Sequence, residues 1–386
     1  MRAESREPCR ARGWRQSRRR PRGTSAGRRF AACALLVLAG LAQAGDPARS
    51  ASASTWLACE DARELPLGLD VDPREYSERQ HVDANTVALG RVLFFDPRLS
   101  QSGRTSCATC HQPEHGFTDG RALAIGDAGT VGRRNTPTIV NRAFGRAQFL
   151  DGRAASLEQQ ALGPLLSPAE MGMTSALFAA RFEQDVEFTH AFDAAFGRGP
   201  TLELAARALA AFEATLASGN SPYDRFEWLG DVNALSADAL AGLRLFRGRA
   251  RCTKCHAGPN LSDEAFHDVG AGLETRAADL GRELASGLRA DRGKFKTPTL
   301  RNVARTAPYM HDGSLATLAD VVAFYADGGR PDTNRDPELR ELELTTVERA
   351  QLVAFLESLT GDIVLLSPAL FRDETPASPS AELDRR

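Results

Sequence analysis

The 386-residue sequence predicts an all-α protein built from two small helical units related by internal duplication. Three observations support this. Gly90-Arg-Val-Leu-Phe94 recurs as Gly242-Leu-Arg-Leu-Phe246, and Thr136-Pro-Thr-Ile-Val-Asn141 recurs as Thr297-Pro-Thr-Leu-Arg-Asn302. Ten residues past each Asn stands Asp-Gly, at Asp151-Gly152 and Asp312-Gly313. Five positions past each Asp comes a helix-start signal, Ser156-x-x-Gln159 or Thr317-x-x-Asp320, opening an apolar helical run. Equal spacings between unlike motifs are the mark of a repeated supersecondary unit.

Composition is near the globular average, at 42% hydrophobic and 25% charged, so a sizeable core is available and wholesale disorder is excluded. The net charge of −2 joins two unlike segments. Residues 1–44 hold eleven Arg and two Glu, a charge of +9, which leaves −11 for residues 45–386. Within the first segment Arg28 and Arg29 precede the apolar run Phe30 to Leu41, which ends in Ala42-Gln-Ala44. A charged stretch, a short apolar stretch and small residues before a cut describe a secretory signal peptide and periplasmic export. The apolar run is too short for a stable membrane anchor.

Residues 45–80 read as a polar leader without strong periodicity. Residues 81–221 and 222–365 read as the two units, separated near Ser221-Pro222. Leu202 to Leu216 reads as an amphipathic helix, and Thr345-x-x-Glu348 as the start of a last helix that stops at Gly361. The Gly-rich stretch from Ser262 to Lys296 shows no clear element. Residues 366–386, rich in Pro, Ser and Asp, read as a disordered tail. Phosphate-binding fingerprints and nucleic-acid patches are absent.

Cysteine usage carries the chemistry. Cys9 and Cys33 fall within the signal, and Cys59 is left over as a free thiol. The other four form Cys107-Ala-Thr-Cys110-His111 and Cys252-Thr-Lys-Cys255-His256. C-x-x-C-H is the attachment signature of haem c. Two thiols three residues apart reach the two vinyl groups of one porphyrin, and the adjacent imidazole supplies the proximal iron ligand. A zinc site wants its ligands in one cluster, whereas these pairs are 145 residues apart. Two covalently bound haems c are the reading.

The repeat identifies which residues occupy equivalent places with respect to the two haems. Tyr325 lies thirteen residues past Asp312, and the equivalent position past Asp151 is Pro164. A phenol oxygen can ligate ferric iron and a proline cannot. Tyr325 is either the second haem's sixth ligand or a core aromatic with a satisfied hydroxyl. Near Pro164 lie Gln160 and Glu170. A carboxylate over an open haem can carry a proton between the oxygens of peroxide. The bland alternative is a surface Glu in a loop.

With these residues in place, the chain resembles the bacterial dihaem cytochrome c peroxidases, and within them the Tyr-ligated MauG-like branch. The likeness runs from about Leu89 to Gly361. It is carried by Leu93-Phe-Phe-Asp-Pro-Arg-Leu-Ser100, Arg134-Asn-Thr-Pro-Thr138, Gln148-Phe-Leu-Asp-Gly-Arg153, Thr306-Ala-Pro-Tyr-Met-His-Asp-Gly313 and both C-x-x-C-H motifs. It implies a peroxidatic first haem, with Gln160 and Glu170 catalytic, and a second haem relaying electrons. It also implies a calcium ion between the haems held by Asn135 and the carbonyls of Thr306 and Pro308, a set of hard oxygen donors.

The resemblance further implies hydrogen peroxide as substrate and a small c-type cytochrome or cupredoxin as electron donor. A protein substrate on a partner is the alternative of the MauG-like branch, and a non-enzymatic electron-transfer cytochrome is the rival outside catalysis. Homodimers are usual among the peroxidases. Three departures matter: Tyr325 where many members carry Met, Asp127 where a haem-closing His is common, and Leu150 where a Trp often lies between the haems. His115, four residues after His111, would share the proximal helical face and so not cap the ring. Asp127 in that loop, with His115 so placed, predicts a first haem open without reductive activation. His311 is placed near the inter-haem region; His81, His190 and His267 read as structural or surface groups.

Overall fold

The computed structural model describes residues 61–73, 82–272, 279–331 and 334–371. The signal segment, Cys59, His81 and residues 372–386 lie outside them. The described chain is mostly helical, with two small two-stranded sheets.

The first half opens with α1 (Ala84–Phe95), started by the Asp83 carboxylate, which accepts from the N–H groups of Asn85 and Thr86. Such a cap satisfies donors that the first helical turn leaves free. A single turn, α2 (Cys107–Cys110), carries the first cysteine pair. Next come α3 (Leu157–Leu166), α4 (Ser175–Phe182), α5 (Val186–Phe196) and the Ala-rich α6 (Leu202–Ala214). The second half holds α7 (Pro222–Leu229), α8 (Ala237–Arg247), the short α9 (Glu283–Ser286), α10 (Leu318–Ala326) and α11 (Thr346–Glu357).

The repeated Gly-x-x-x-Phe motif sets the central helix crossing of each half. A Cβ on Gly90 would lie 1.8 Å from the Ala208 carbonyl oxygen of α6, and one on Gly242 would lie 1.9 Å from that of Gln351 in α11. Only a residue without a side chain permits backbones to approach so closely. One turn on, Phe94 packs on Phe212 with ring centroids 5.1 Å apart, and Phe246 on Phe355 at 4.8 Å. Fully burying each Phe contributes roughly 1.5–3 kcal/mol.

The matched geometry continues beyond the helices. Asn141 and Asn302 both adopt left-handed backbone, and their side-chain oxygens accept from Ser218 N–H at 2.8 Å and Gly361 N–H at 2.9 Å. The Gln148 N–H donates to Ala154 as that of Tyr309 does to Leu315, at 2.7 Å in each case.

Four expectations change. The helix from Leu202 ends at Ala214; Leu216–Gly219 is a strand, β1, paired antiparallel with Asp362–Leu365, β4. Strand β4 follows the last helix of the second half yet buries Ile363 and Leu365 in the first-half core. Accordingly the tail does not begin at 366: Leu366 and Phe371 are buried with Leu69 and Val87, which also shows that the leader's later part packs against the core. The chain between Ser262 and Lys296 does hold elements, the strands β2 (Phe266–His267) and β3 (Phe295–Lys296) and helix α9. Finally, Ser156 caps α3 but Gln159 accepts from Ala155 N–H, so of these two matched helix starts the reciprocal box forms fully at Thr317 and Asp320 and not at Ser156.

Candidate haem-binding cavity

A cavity of about 890 Å³ runs between the halves, and nearly every site residue expected from the sequence lines it: Cys107, Cys110, His111, Asn135, Gln160, Glu170, Cys252, Cys255, His256, Thr306, Pro308 and Tyr325. The first cysteine pair sits on α2, whose start Ser106 and Thr109 cap reciprocally. The second lies on a tighter turn, Cys252–Lys254, with Cys255 closing it. None of these four cysteines forms a disulfide. Burial pushes the Cys107 and Cys252 thiols up, the latter to about 12, so these two are neutral.

The two histidines are held alike. His111 Nδ1 lies 3.0 Å from the Phe117 carbonyl oxygen, and His256 Nδ1 lies 3.0 Å from that of Leu261. A carbonyl can only accept, so Nδ1 carries the proton and Nε2 keeps its lone pair for a metal. Burial lowers both imidazoles from their ordinary value, favouring the neutral ligand form. Paired thiols, a neutral imidazole with a free Nε2 and a large cavity fit a covalently attached haem at each motif.

The walls opposite differ. Helix α3 brings Gln160 and Pro164 to the cavity, and the turn after it brings Glu170, an exposed residue on the cavity wall. Helix α10 brings Tyr325, whose phenol burial pushes well above its ordinary value. The Glu170 segment is pinned through its backbone. The Asp127 N–H donates to the Glu170 carbonyl at 2.6 Å, while the Asp127 carboxylate accepts from Ser102 N–H, Ser102 Oγ and Thr105 Oγ1. Burial works against ionisation of Asp127, but these donors hold its carboxyl below the usual range. His115 is not on the helical face of His111: α2 ends at Cys110, and His115 lies exposed in a separate turn that does not line the cavity.

Between the halves the contacts are reciprocal. Asn135 N–H donates to the His311 carbonyl at 2.7 Å, and Lys296 N–H donates to the Leu150 carbonyl at 2.8 Å. These are equivalent positions of the repeat: Asn135 and Lys296 each precede Thr-Pro-Thr, and Leu150 and His311 each precede Asp-Gly. His311 stacks on Phe295 with centroids 3.8 Å apart. Arg134 bridges Asp151 at 2.6 Å and Asp279 at 2.7 Å. Burial opposes ionisation of Asp279, yet Arg134 and the Gly281 N–H hold its carboxyl down at about 2. The Asn135 side-chain amide donates to the Arg121 carbonyl at 2.6 Å. Asn135, Thr306 and Pro308 offer neutral oxygens only, a donor set suited to a hard cation that keeps water ligands.

Several cavity residues were not singled out by the sequence. His267, read as structural or surface, lines the cavity between Asp263 Oδ2 at 2.9 Å and Asp336 Oδ2 at 2.5 Å. Its Nε2 partner Asp263, with Cys255, makes the one cluster of three possible metal ligands found among the described residues, their donor atoms within 4.8 Å. A thioether at Cys255 would remove the thiolate such a cluster needs. Arg142, Glu213 and Lys296 also line the cavity. The pair of Arg142 with Glu264 joins segments 122 residues apart, so no local spacing announces it. His190 does not line the cavity.

Comparison with known proteins gives a consistent picture. The profile of the di-haem cytochrome c peroxidases matches residues 84–233. The methylamine utilization protein MauG of Methylorubrum extorquens is 42% identical over 280 residues, 72% of this chain and 78% of that protein. The cytochrome c551 peroxidase of Nitrosomonas europaea is 38% identical over 309 residues, 78% and 88% of the two chains. Among solved structures, a MauG-like protein associated with microbial copper homeostasis superposes with a TM-score of 0.68 at 31% identity, covering 82% of this chain and 97% of the other. The diheme peroxidase BthA from Burkholderia thailandensis gives 0.63 at 26% identity, covering 78% and 93%.

Proposed function

The chain belongs to the di-haem cytochrome c peroxidase family, and from that membership we infer that it is a periplasmic peroxidase with MauG-like ligation, reducing hydrogen peroxide to water. The observation that carries this reading is the asymmetry of the two walls: Pro164, Gln160 and Glu170 lie on the first half's cavity wall, and Tyr325 on the second's.

Cys107, Cys110 and His111 would hold one haem, and Cys252, Cys255 and His256 the other, with Tyr325 as a further iron ligand of the second. The first would supply an iron that binds peroxide and the second a relay for electrons from a donor. Glu170 acts as the acid–base group, taking a proton from the near oxygen of peroxide and returning it to the far one; Gln160 donates a hydrogen bond that orients the substrate. Asp127 keeps the Glu170 backbone in register with the segment leading into Cys107. Asn135, with the Thr306 and Pro308 carbonyls, would hold a calcium ion between the halves. Residues 81–221 and 222–365 form the two haem units, the second lending β4 to the first core. No helix among the described residues is long and apolar enough to cross a membrane. Export rests on the signal segment. The donor is a small c-type cytochrome or cupredoxin, and the −11 charge of residues 45–386 favours a basic one.

A MauG-like oxidase acting on a partner protein is the second reading, favoured by Tyr325 in place of Met. Electron paramagnetic resonance of the resting ferric protein tests the assignment. One high-spin and one low-spin signal support an open first haem; two low-spin signals overturn it. Steady-state assays with a cytochrome, a cupredoxin and candidate partner proteins separate the two enzymatic readings.

A further inference from the structure

Arg142, Glu264 and Lys296 form a buried ionic cluster where the halves meet. Their side chains are 10%, 7% and 7% exposed. Arg142 comes from the first half, just past Asn141; Glu264 and Lys296 come from the second. Arg142 grips both Glu264 oxygens, at 2.8 Å and 3.2 Å, and also donates to Gln148 Oε1 and the Ala147 carbonyl. The Lys296 ammonium is left to share a carboxylate already engaged, at 3.5 Å. Two cations therefore face one anion, leaving a buried positive charge on residues that line the cavity. A buried charge without a partner is costly, so such a cluster wants a further anion.

The loop carrying Glu264 also holds the second proximal histidine. The Leu261 carbonyl accepts from His256 Nδ1, and the Ala265 carbonyl accepts from the Thr297 N–H next to Lys296. We propose that Lys296, with Arg142 and Glu264, is a positioning site for a carboxylate of the haem attached at Cys252 and Cys255, and that its net positive charge raises that haem's reduction potential. Both the missing anion and the cavity location point to an acidic group of the cofactor itself. Burial, then the neighbouring Arg142, pulls the Lys296 ammonium down to about 7 against the pull of Glu264, as suits a cation lacking a close anion. This inference rests on the second haem being bound.

The test uses the full-length holoprotein. Haem content, measured by haemochrome absorbance, is separate from the inference: wild type with fewer than two haems defeats the functional reading instead. Spectroelectrochemistry then follows each haem. Lys296→Met should lower the midpoint potential of the His256 haem, because losing a positive charge favours ferric iron. Glu264→Gln should raise it, and Lys296→Arg should stay near wild type. The propionate bending band of that haem in resonance Raman should shift in Lys296→Met. A merely structural role would loosen the site alike in Lys296→Met and Glu264→Gln. Shifts of the same sign, unchanged potentials, or an unmoved propionate band overturn the proposal. If Lys296→Met does not load haem, Glu264→Gln and Lys296→Arg carry the potential test on the same terms.

Discussion

Gly126 stands so close to Ala169 that a Cβ on it would lie 1.9 Å from the Ala169 carbonyl oxygen. The loop can thus press against the backbone beside Glu170 and let Asp127 N–H reach the Glu170 carbonyl. Gly126→Ala should displace this segment, costing about 1–3 kcal/mol of stability. Because misplacing a catalytic group by about 1 Å can cost on the order of 100-fold, peroxide turnover should fall by about 10–100-fold at unchanged haem content. Turnover equal to wild type would show that Glu170 does not need this contact.

Replacing Glu170 itself gives a larger effect. Glu170→Gln keeps the size and loses the proton-transfer group, so turnover should drop by roughly 10²–10⁴. Stopped-flow mixing with peroxide measures it. An unchanged rate removes Glu170 from the mechanism.

Tyr325→Phe should abolish the low-spin signal assigned to the second haem or convert it to high spin. Burial holds the phenol neutral in the protein alone, so ligation as phenolate needs the charge of ferric iron nearby. An unaltered paramagnetic spectrum would exclude Tyr325 as ligand and direct attention to Met310, which also lines the cavity.

Glu213, on α6, is a buried acid whose Oε2 finds no partner, and burial pushes its pKa up to about 8. The folded state favours the protonated form more than the unfolded chain does, whose carboxyl titrates near the ordinary 4.5. Its contribution is therefore complete below about 4.5 and lost as pH rises towards 8. Glu213→Gln should raise thermal stability at pH 7 by a few kcal/mol, at about 1.4 kcal/mol per pKa unit, and flatten stability between these pH values. A variant with wild-type pH dependence would place the ionised acid in the folded protein.

Arg301 and Asp224 form a fully buried pair, at 2.9 Å and 3.1 Å, and Arg301 also donates to the Gly68 and Pro259 carbonyls. It thereby joins the leader, α7 and the second-half core. Removing one partner leaves a buried charge alone, so Arg301→Met should cost about 3–5 kcal/mol in chemical denaturation. Adding Asp224→Leu should recover part of the loss. No recovery would mean that the backbone contacts, rather than the charge, dominate.

Much of this architecture was legible in the residues. Both C-x-x-C-H motifs, Gly90 and Gly242, and the paired Asn residues are local signals, because their chemistry depends on neighbours a few positions away. The strand at Leu216–Gly219 was not. Leu-Ala-Ser-Gly continues an apolar helical pattern, and only pairing with Asp362–Leu365, far along the chain, makes it a strand. The position of His115 was misjudged for a related reason: the spacing of four assumed a continuous helix, and the backbone leaves helical conformation at His111.

The sequence alone determined the two cysteine–histidine attachment motifs and the paired motif spacings, since each is a short-range signal, whereas His267, Arg142, Glu213 and Lys296 reach the cavity wall only through the tertiary structure. Tertiary structure alone decided how the halves meet. The crossed bonds Asn135 to His311 and Lys296 to Leu150, the Arg142–Glu264–Lys296 cluster and the return of β4 to the first core all join segments separated by more than one hundred residues. Such contacts form where burial and charge balance after packing, and no spacing along the chain encodes them.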